Sequence, residues 1–240
     1  LDIETRIRYN PSVTAILIVN PDNPTGFVYP EQTIREIVGL AAKYNLFVIA
    51  DEVYENIVYN GHAPCSLGKI IGDVPGMVLK SMSKEVPWPG ARCGWIEVYN
   101  REKDSSFEAY INSILNAKML EVCSTTLPQK ILPELLAHPC YKTFLHERLQ
   151  RYEHHANIAY EMFCGEDGLI VNRSNGAFYF SVVFQKERLS SRQRMAIDHR
   201  LISKKIEELV ALPRTSLDKR FSLYLLGSTG ICVVPLSSFN

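Results

Sequence analysis

Asn23, Asp51, Ser81, Ser83, Lys84 and Arg92 are side chains of the types that hold and work a cofactor, and each borders an apolar run. Asn23 follows TAILIVN (Thr14 to Asn20), Asp51 closes LFVIAD (Leu46 to Asp51), and Ser81, Ser83 and Lys84 close GMVLKSMSK (Gly76 to Lys84). If those runs are neighbouring strands, an amide, a carboxylate, two hydroxyls and an ammonium converge. Arg92 precedes the next run, CGWIEVYN (Cys93 to Asn100), so its guanidinium joins them only if that strand runs antiparallel. One carboxylate, one lysine and one arginine suit a flat cofactor carrying a ring nitrogen, an aldehyde and a phosphate. The carboxylate keeps the ring nitrogen protonated, because opposite charges about 4 Å apart at an effective dielectric of about 20 attract by about 4 kcal/mol. The lysine forms a Schiff base and the arginine fork fits a phosphate. Pyridoxal phosphate combines these three groups.

Parallel strands must bring these residues together, since open sheets bind ligands outside the carboxyl ends of their strands. TAILIVN and LFVIAD are near-continuous apolar runs, as expected of strands buried on both faces. Between them, Glu31 to Tyr44 carries Ile34, Ile37, Val38 and Ala41 at helical spacing, with Pro30 suited to the first turn. Strand, helix and strand imply a right-handed parallel crossover. The joining stretch NPDNPTGFVYP holds three prolines and a glycine, a stiffer turn than chain reversal alone requires. From about Ser105 the character turns helical, with FEAYINSILNAKMLEV and YKTFLHERLQRYEHHANIAYEMF as long amphipathic candidates. CGEDG then leads to the strand-like LIVNRSNGAFYFSVVF, a last helix covers about Ser191 to Val210, and GICVVPLSSFN follows. The expected class is α/β: a mostly parallel large-domain sheet over 1–105, a connecting helical segment over 106–135, and a smaller α+β domain over 136–240.

The chain has 240 residues, 46% hydrophobic and 22% charged, with 26 basic and 26 acidic residues. That balance offers no basic excess for nucleic acid or an anionic membrane and leaves small molecules and protein partners. Six scattered cysteines without a CxxC read as reduced, mostly buried thiols, which places the chain in the cytoplasm. No apolar run is long enough for a membrane span, and LDIETRIRYN has no signal-peptide core. GHAPCSLGKI lacks the spacing of a phosphate-binding loop, and His146, His154 and His155 lack the spacing of a metal pair. Glu52 is expected at the surface, and the mixed charges of the Tyr141 to Glu161 helix are read as a solvated face. SNGAFYF (Ser174 to Phe180) is read as a core strand after a turn.

At the cofactor-type residues the sequence resembles the class I aminotransferases of PLP fold type I, which include the tyrosine, aspartate and alanine transaminases. NPDNPTG, DEVY, SMSK and PGARCGW match four family motifs, in the family's order and at its intervals. The resemblance implies that Asn23 and Tyr54 hydrogen-bond the cofactor's phenolic oxygen and that Asp51 pairs with the pyridine nitrogen. Lys84 is then the Schiff-base lysine and proton shuttle, and Ser81 and Arg92 bind the phosphate. SNGAFYF is read equally, through this resemblance, as similar to a small-domain strand near the substrate. The implied reaction is transamination between an α-amino acid and a 2-oxo acid by a homodimer. A β-lyase on the same fold and a catalytically silent scaffold are the alternatives. The family fold also implies a segment upstream of Leu1 and a carboxylate-binding arginine beyond Asn240. Without that upstream segment, apolar large-domain surface is expected to lie uncovered.

Overall fold

Ala15 to Val19 are all aliphatic, and the apolar run leaves the chain little alternative to a buried strand. In the computed structural model, which describes residues 2–239, they form β1 (Ala15–Val19) of a four-stranded sheet in the order β1-β2-β3-β4. β2 (Phe47–Asp51) pairs parallel with β1 and with β3 (Gly76–Ser81), and β4 (Gly94–Tyr99) runs antiparallel to β3. The fold is mixed α/β with a mostly parallel sheet.

One sheet face takes Ile16, Ile18, Val48, Ala50 and Val78 into a core with Ile34, Ile37, Val38 and Ala41 of α2 (Glu31–Lys43). Full burial stabilises by about 1.5–3 kcal/mol for each large aliphatic side chain, so this helix and sheet hold each other. The other face packs Met77, Phe47, Ile49 and Leu79 against Phe107 and Ile111 of α3 (Ser105–Met119). The α3 start is fixed by Asp104, whose carboxylate accepts the Phe107 N–H at 2.6 Å; such caps are worth about 1 kcal/mol. That second layer does not cover β1, where Leu17 stays 62% exposed on the edge strand, so the expectation of burial on both faces is corrected for β1.

By contacts the chain gathers into two compact units. The first holds the residues up to Met162 together with Asn172–Ser181. Besides the sheet it contains α1 (Asp2–Tyr9), α4 (Thr126–Ala137) and nearly all of α5 (Tyr141–Phe163). The second unit takes Phe163–Val171 and the chain from Val182. It has an antiparallel pair, β5 (Leu169–Val171) with β6 (Val182–Phe184), and two packed helices, α6 (Arg200–Val210) and α7 (Leu217–Thr229). Gly227 permits that packing, because a Cβ there would lie 2.8 Å from Ile206 Cγ1 and from Ile197 Cδ1.

Several expectations are corrected. The last predicted helix starts at Arg200, nine residues later than its expected start, since the preceding SRQRMAIDH forms turns and irregular chain. α1 and α7 were not expected; the apolar residues of LDKRFSLYLLGST ring the helix and leave little periodic signal. LIVNRSNGAFYFSVVF is strand only at its two ends. All six cysteines are free, as read, but Cys123, Cys140, Cys164 and Cys232 are exposed, so "mostly buried" does not hold. Among the described residues, no helix is long and apolar enough to cross a membrane and no His, Cys, Asp and Glu group is arranged to hold a metal.

Candidate active site

The parallel register sets Val19 beside Asp51 and Asp51 beside Leu79, so the first three strands end side by side. The antiparallel pairing sets Ser81 opposite Gly94, and the Met82 N–H donates to the Cys93 carbonyl at 3.1 Å. Arg92 therefore arrives at the same edge, meeting the geometric condition that the sequence set for it.

The proline turn between β1 and α2 is tied down at several of its carbonyls. Asp22 caps it from within, accepting the Thr25 N–H at 3.1 Å and the Thr25 hydroxyl. The Asn172–Ser181 segment clamps it from outside. Ser181 Oγ donates to the Pro24 carbonyl at 2.7 Å, Asn172 Nδ2 to the Thr25 carbonyl at 3.0 Å, and the Asn175 and Gly176 N–H groups to the Gly26 carbonyl at 2.9 and 3.0 Å. Gly26 has φ +68°, and a Cβ there would meet Ser174 Oγ at 2.7 Å and the Tyr179 carbonyl at 2.8 Å, so the turn requires glycine twice over. In this fixed loop Asn23 Oδ1 is buried with no hydrogen-bond partner among the described residues. Buried amide oxygens are nearly always satisfied, so this one stands out.

Tyr54 is 2% exposed, and its hydroxyl lies 2.6 Å from that of Tyr179. Burial first, and the Tyr179 hydroxyl second, push the Tyr54 phenol far above its ordinary range, so it keeps its proton at neutral pH. The Tyr54 ring meets Phe178 edge-on at 5.3 Å. Lys84 Nζ lies 5.7 Å from the centre of each of these two rings. Among the described residues no carboxylate pairs with it. Asp51 closes β2 with one carboxylate oxygen accepting the Val53 N–H at 3.2 Å.

The part of the edge that holds Ser81 and Arg92 is less assembled. Ser81 Oγ donates to Ser83 Oγ at 2.9 Å and accepts the Ser83 N–H at 3.0 Å. Arg92 is exposed, has φ 49°, and donates from Nη1 to the Pro89 carbonyl at 2.9 Å. No hydrogen bond joins it to Ser81 or Lys84 among the described residues. Holding a non-glycine residue in the left-handed region costs about 1 kcal/mol, which the surrounding loop must offset.

Glu52, expected at the surface, is 2% exposed. It accepts Ser66 Oγ at 2.8 Å, the Leu67 N–H at 2.6 Å and Lys80 Nζ at 2.7 Å, and Lys80 also pairs with Glu55. Burial opposes the charge on Lys80, but the hydrogen bonds to Glu52 and Glu55 outweigh it and raise its pKa. A cavity of about 520 Å³ opens beside this cluster; its lining includes Ser81 but not Asn23, Asp51, Tyr54 or Lys84. Tyr179, the hydroxyl partner of Tyr54, was not singled out from the sequence, although SNGAFYF flagged its segment. Its aromatic pair within a Gly-containing turn was the available signal.

The aminotransferase class I and II family model matches residues 2–240. An uncharacterized aminotransferase of Methanocaldococcus jannaschii is 52% identical over 238 residues, covering 99% of this chain and 55% of the relative. The tyrosine aminotransferase of Dictyostelium discoideum is 28% identical over 196 residues, covering 81% of this chain and 46% of that protein. Among solved structures, the alanine aminotransferase of Pyrococcus furiosus superposes with a TM-score of 0.72 at 25% identity, over 92% of this chain and 49% of the other. The chain thus spans about half the length of the relatives it matches.

Proposed function

The chain belongs to the aminotransferase class I and II family, and from that premise we propose that it serves pyridoxal phosphate-dependent transamination between an α-amino acid and a 2-oxo acid. The observation that carries this reading is Lys84, whose Nζ lies over two aromatic rings and has no carboxylate partner among the described residues, in the same unit as the Asn23 amide oxygen, which is unpartnered among them. The residues present fit the cofactor: a carboxylate for the pyridine nitrogen, an amide and a phenol for the phenolic oxygen, an amine for the aldehyde.

When bound, pyridoxal phosphate supplies the electron sink that stabilises negative charge at the amino acid's α-carbon. Asp51 holds a proton on the ring nitrogen. Asn23 and Tyr54 orient the ring through its phenolic oxygen, and the raised pKa of Tyr54 keeps it a donor. Lys84 Nζ would hold the cofactor through its aldehyde and would be the group that moves the α-proton. Ser81 and Arg92 bind the phosphate, which asks the Arg92 guanidinium to leave the Pro89 carbonyl. The clamped proline turn keeps Asn23 from drifting, since misplacement of about 1 Å can cost about 100-fold in rate.

The working form is proposed to be a cytoplasmic homodimer. Free cysteines support the compartment, and Leu115, Met119, Leu120 and Val122, all exposed on and after α3, support an apolar contact. The test of the chemistry is borohydride reduction of the chain with added pyridoxal phosphate, followed by peptide mapping. A pyridoxyl group on Lys84, lost in Lys84→Ala, is expected. A label spread evenly over exposed lysines would refute the assignment.

A further inference from the structure

Arg148, on α5, is 6% exposed, yet no ion pair among the described residues includes it. Buried guanidinium groups are ordinarily matched by a carboxylate. This one is matched by main chain: Nη2 donates to the Lys84 carbonyl at 3.1 Å and to the Tyr152 hydroxyl at 2.7 Å, and Nη1 donates to the Glu85 carbonyl. Its Cζ lies 5.3 Å from the ring centres of both Phe144 and Tyr152. Tyr141, Phe144, Arg148 and Tyr152 recur at helical spacing, so one stripe of α5 carries the whole grip. Tyr141 donates its hydroxyl to Glu85, whose other carboxylate oxygen accepts Asn56 Nδ2 at 2.9 Å. The residue after Lys84 is thereby held at its carbonyl and at its side chain.

We propose that Arg148 is a positioning residue for Lys84, its planar fork fixing two successive carbonyls so that the lysine amine stays over the Tyr54 and Phe178 rings. The inference rests on the reading of Lys84 as the cofactor lysine. Lys84 lies in a loop after β3, where main-chain freedom would otherwise spread Nζ over many positions. A lysine at 148 would keep the charge but present a point donor, which cannot grip both carbonyls and the phenol as the guanidinium fork does.

The test reads where pyridoxal phosphate attaches, with Lys204, exposed on α6, as the internal reference in each digest. The wild-type chain is reduced with borohydride and the ratio of pyridoxyl on Lys84 to that on Lys204 is measured. Arg148→Lys is expected to lower this ratio at least tenfold while unfolding stays cooperative. Arg148→Ala is expected to lose it similarly and to regain most of it with added ethylguanidinium. Should a variant not fold cooperatively, Tyr152→Phe takes its place, with an expected loss of about threefold. A ratio within twofold of wild type in the folded variants overturns the inference. So does ethylguanidinium that restores thermal stability but not the ratio, which would assign Arg148 to the fold alone. Absence of selective Lys84 labelling in the wild type overturns the reading of Lys84 and this inference with it.

Discussion

Lys80 and Lys84 lie four residues apart where β3 ends, and their surroundings are opposite. Lys80 is closed in by Glu52 and Glu55, whereas Lys84 faces the rings of Tyr54 and Phe178. The same side-chain chemistry thus serves as a fastener in one place and is kept available in the other. The difference arises in DEVY, where Glu52 turns toward the paired lysine and Tyr54 toward the unpaired one. A lysine matched by two carboxylates resists becoming a nucleophile, because leaving them would strand buried negative charge.

The strongest way to break this comparison is to truncate each lysine in turn. Lys80→Met should cost about 3–5 kcal/mol, since it leaves Glu52 and Glu55 uncompensated. Lys84→Met should change stability by less than about 1 kcal/mol while removing the preferential pyridoxyl label and leaving that on Lys204. Urea unfolding followed by labelling separates the two, and equal destabilisation would dissolve the contrast.

A smaller effect is expected from Gly26→Ala, which strains the turn holding Asn23 rather than either lysine. Its φ of +68° and the 2.7 Å approach to Ser174 predict a loss of about 1–3 kcal/mol, read by thermal melting, with weaker cofactor capture. Unchanged melting would show that the clamp yields easily.

Alkaline titration should give the smallest signal and the sharpest distinction. The raised pKa of Lys80 favours the protonated form in the folded state. Its contribution is fully present below the unfolded value of about 10.5 and is lost as pH rises through the higher folded value. Stability measured across that window should fall in wild type and fall less in Lys80→Met. Tyr54 loses stabilisation in the same direction, so the Lys80→Met curve is not flat.

The sheet was legible because TAILIVN, LFVIAD and GMVLKS are apolar runs with few other uses, and the polar residues at their ends marked the edge that matters. Edge exposure was not, because the number of strands beside β1 cannot be read from β1. Glu52 was misread because its partner, Lys80, lies beyond the next loop, and a lone glutamate after a strand reads as solvated. Arg148 was hidden for a related reason. In a helix rich in charges it looked like one more solvated cation, and only its place in the stripe Tyr141, Phe144, Arg148, Tyr152 distinguished it. Long-range pairing of this kind leaves almost no local trace.

The clamp on the proline turn also sets an order of events during synthesis and folding. Ser174 and Thr25, joined through a hydroxyl and a carbonyl, are 149 residues apart in sequence. Closing a chain loop of that length costs about 4 kcal/mol of entropy before any contact offsets it. The sheet, built from near neighbours, can form well before that loop closes. The aromatic cup around Lys84 therefore matures late, and protection of the Gly176 and Ala177 amides from hydrogen exchange should lag behind that of β1 to β3.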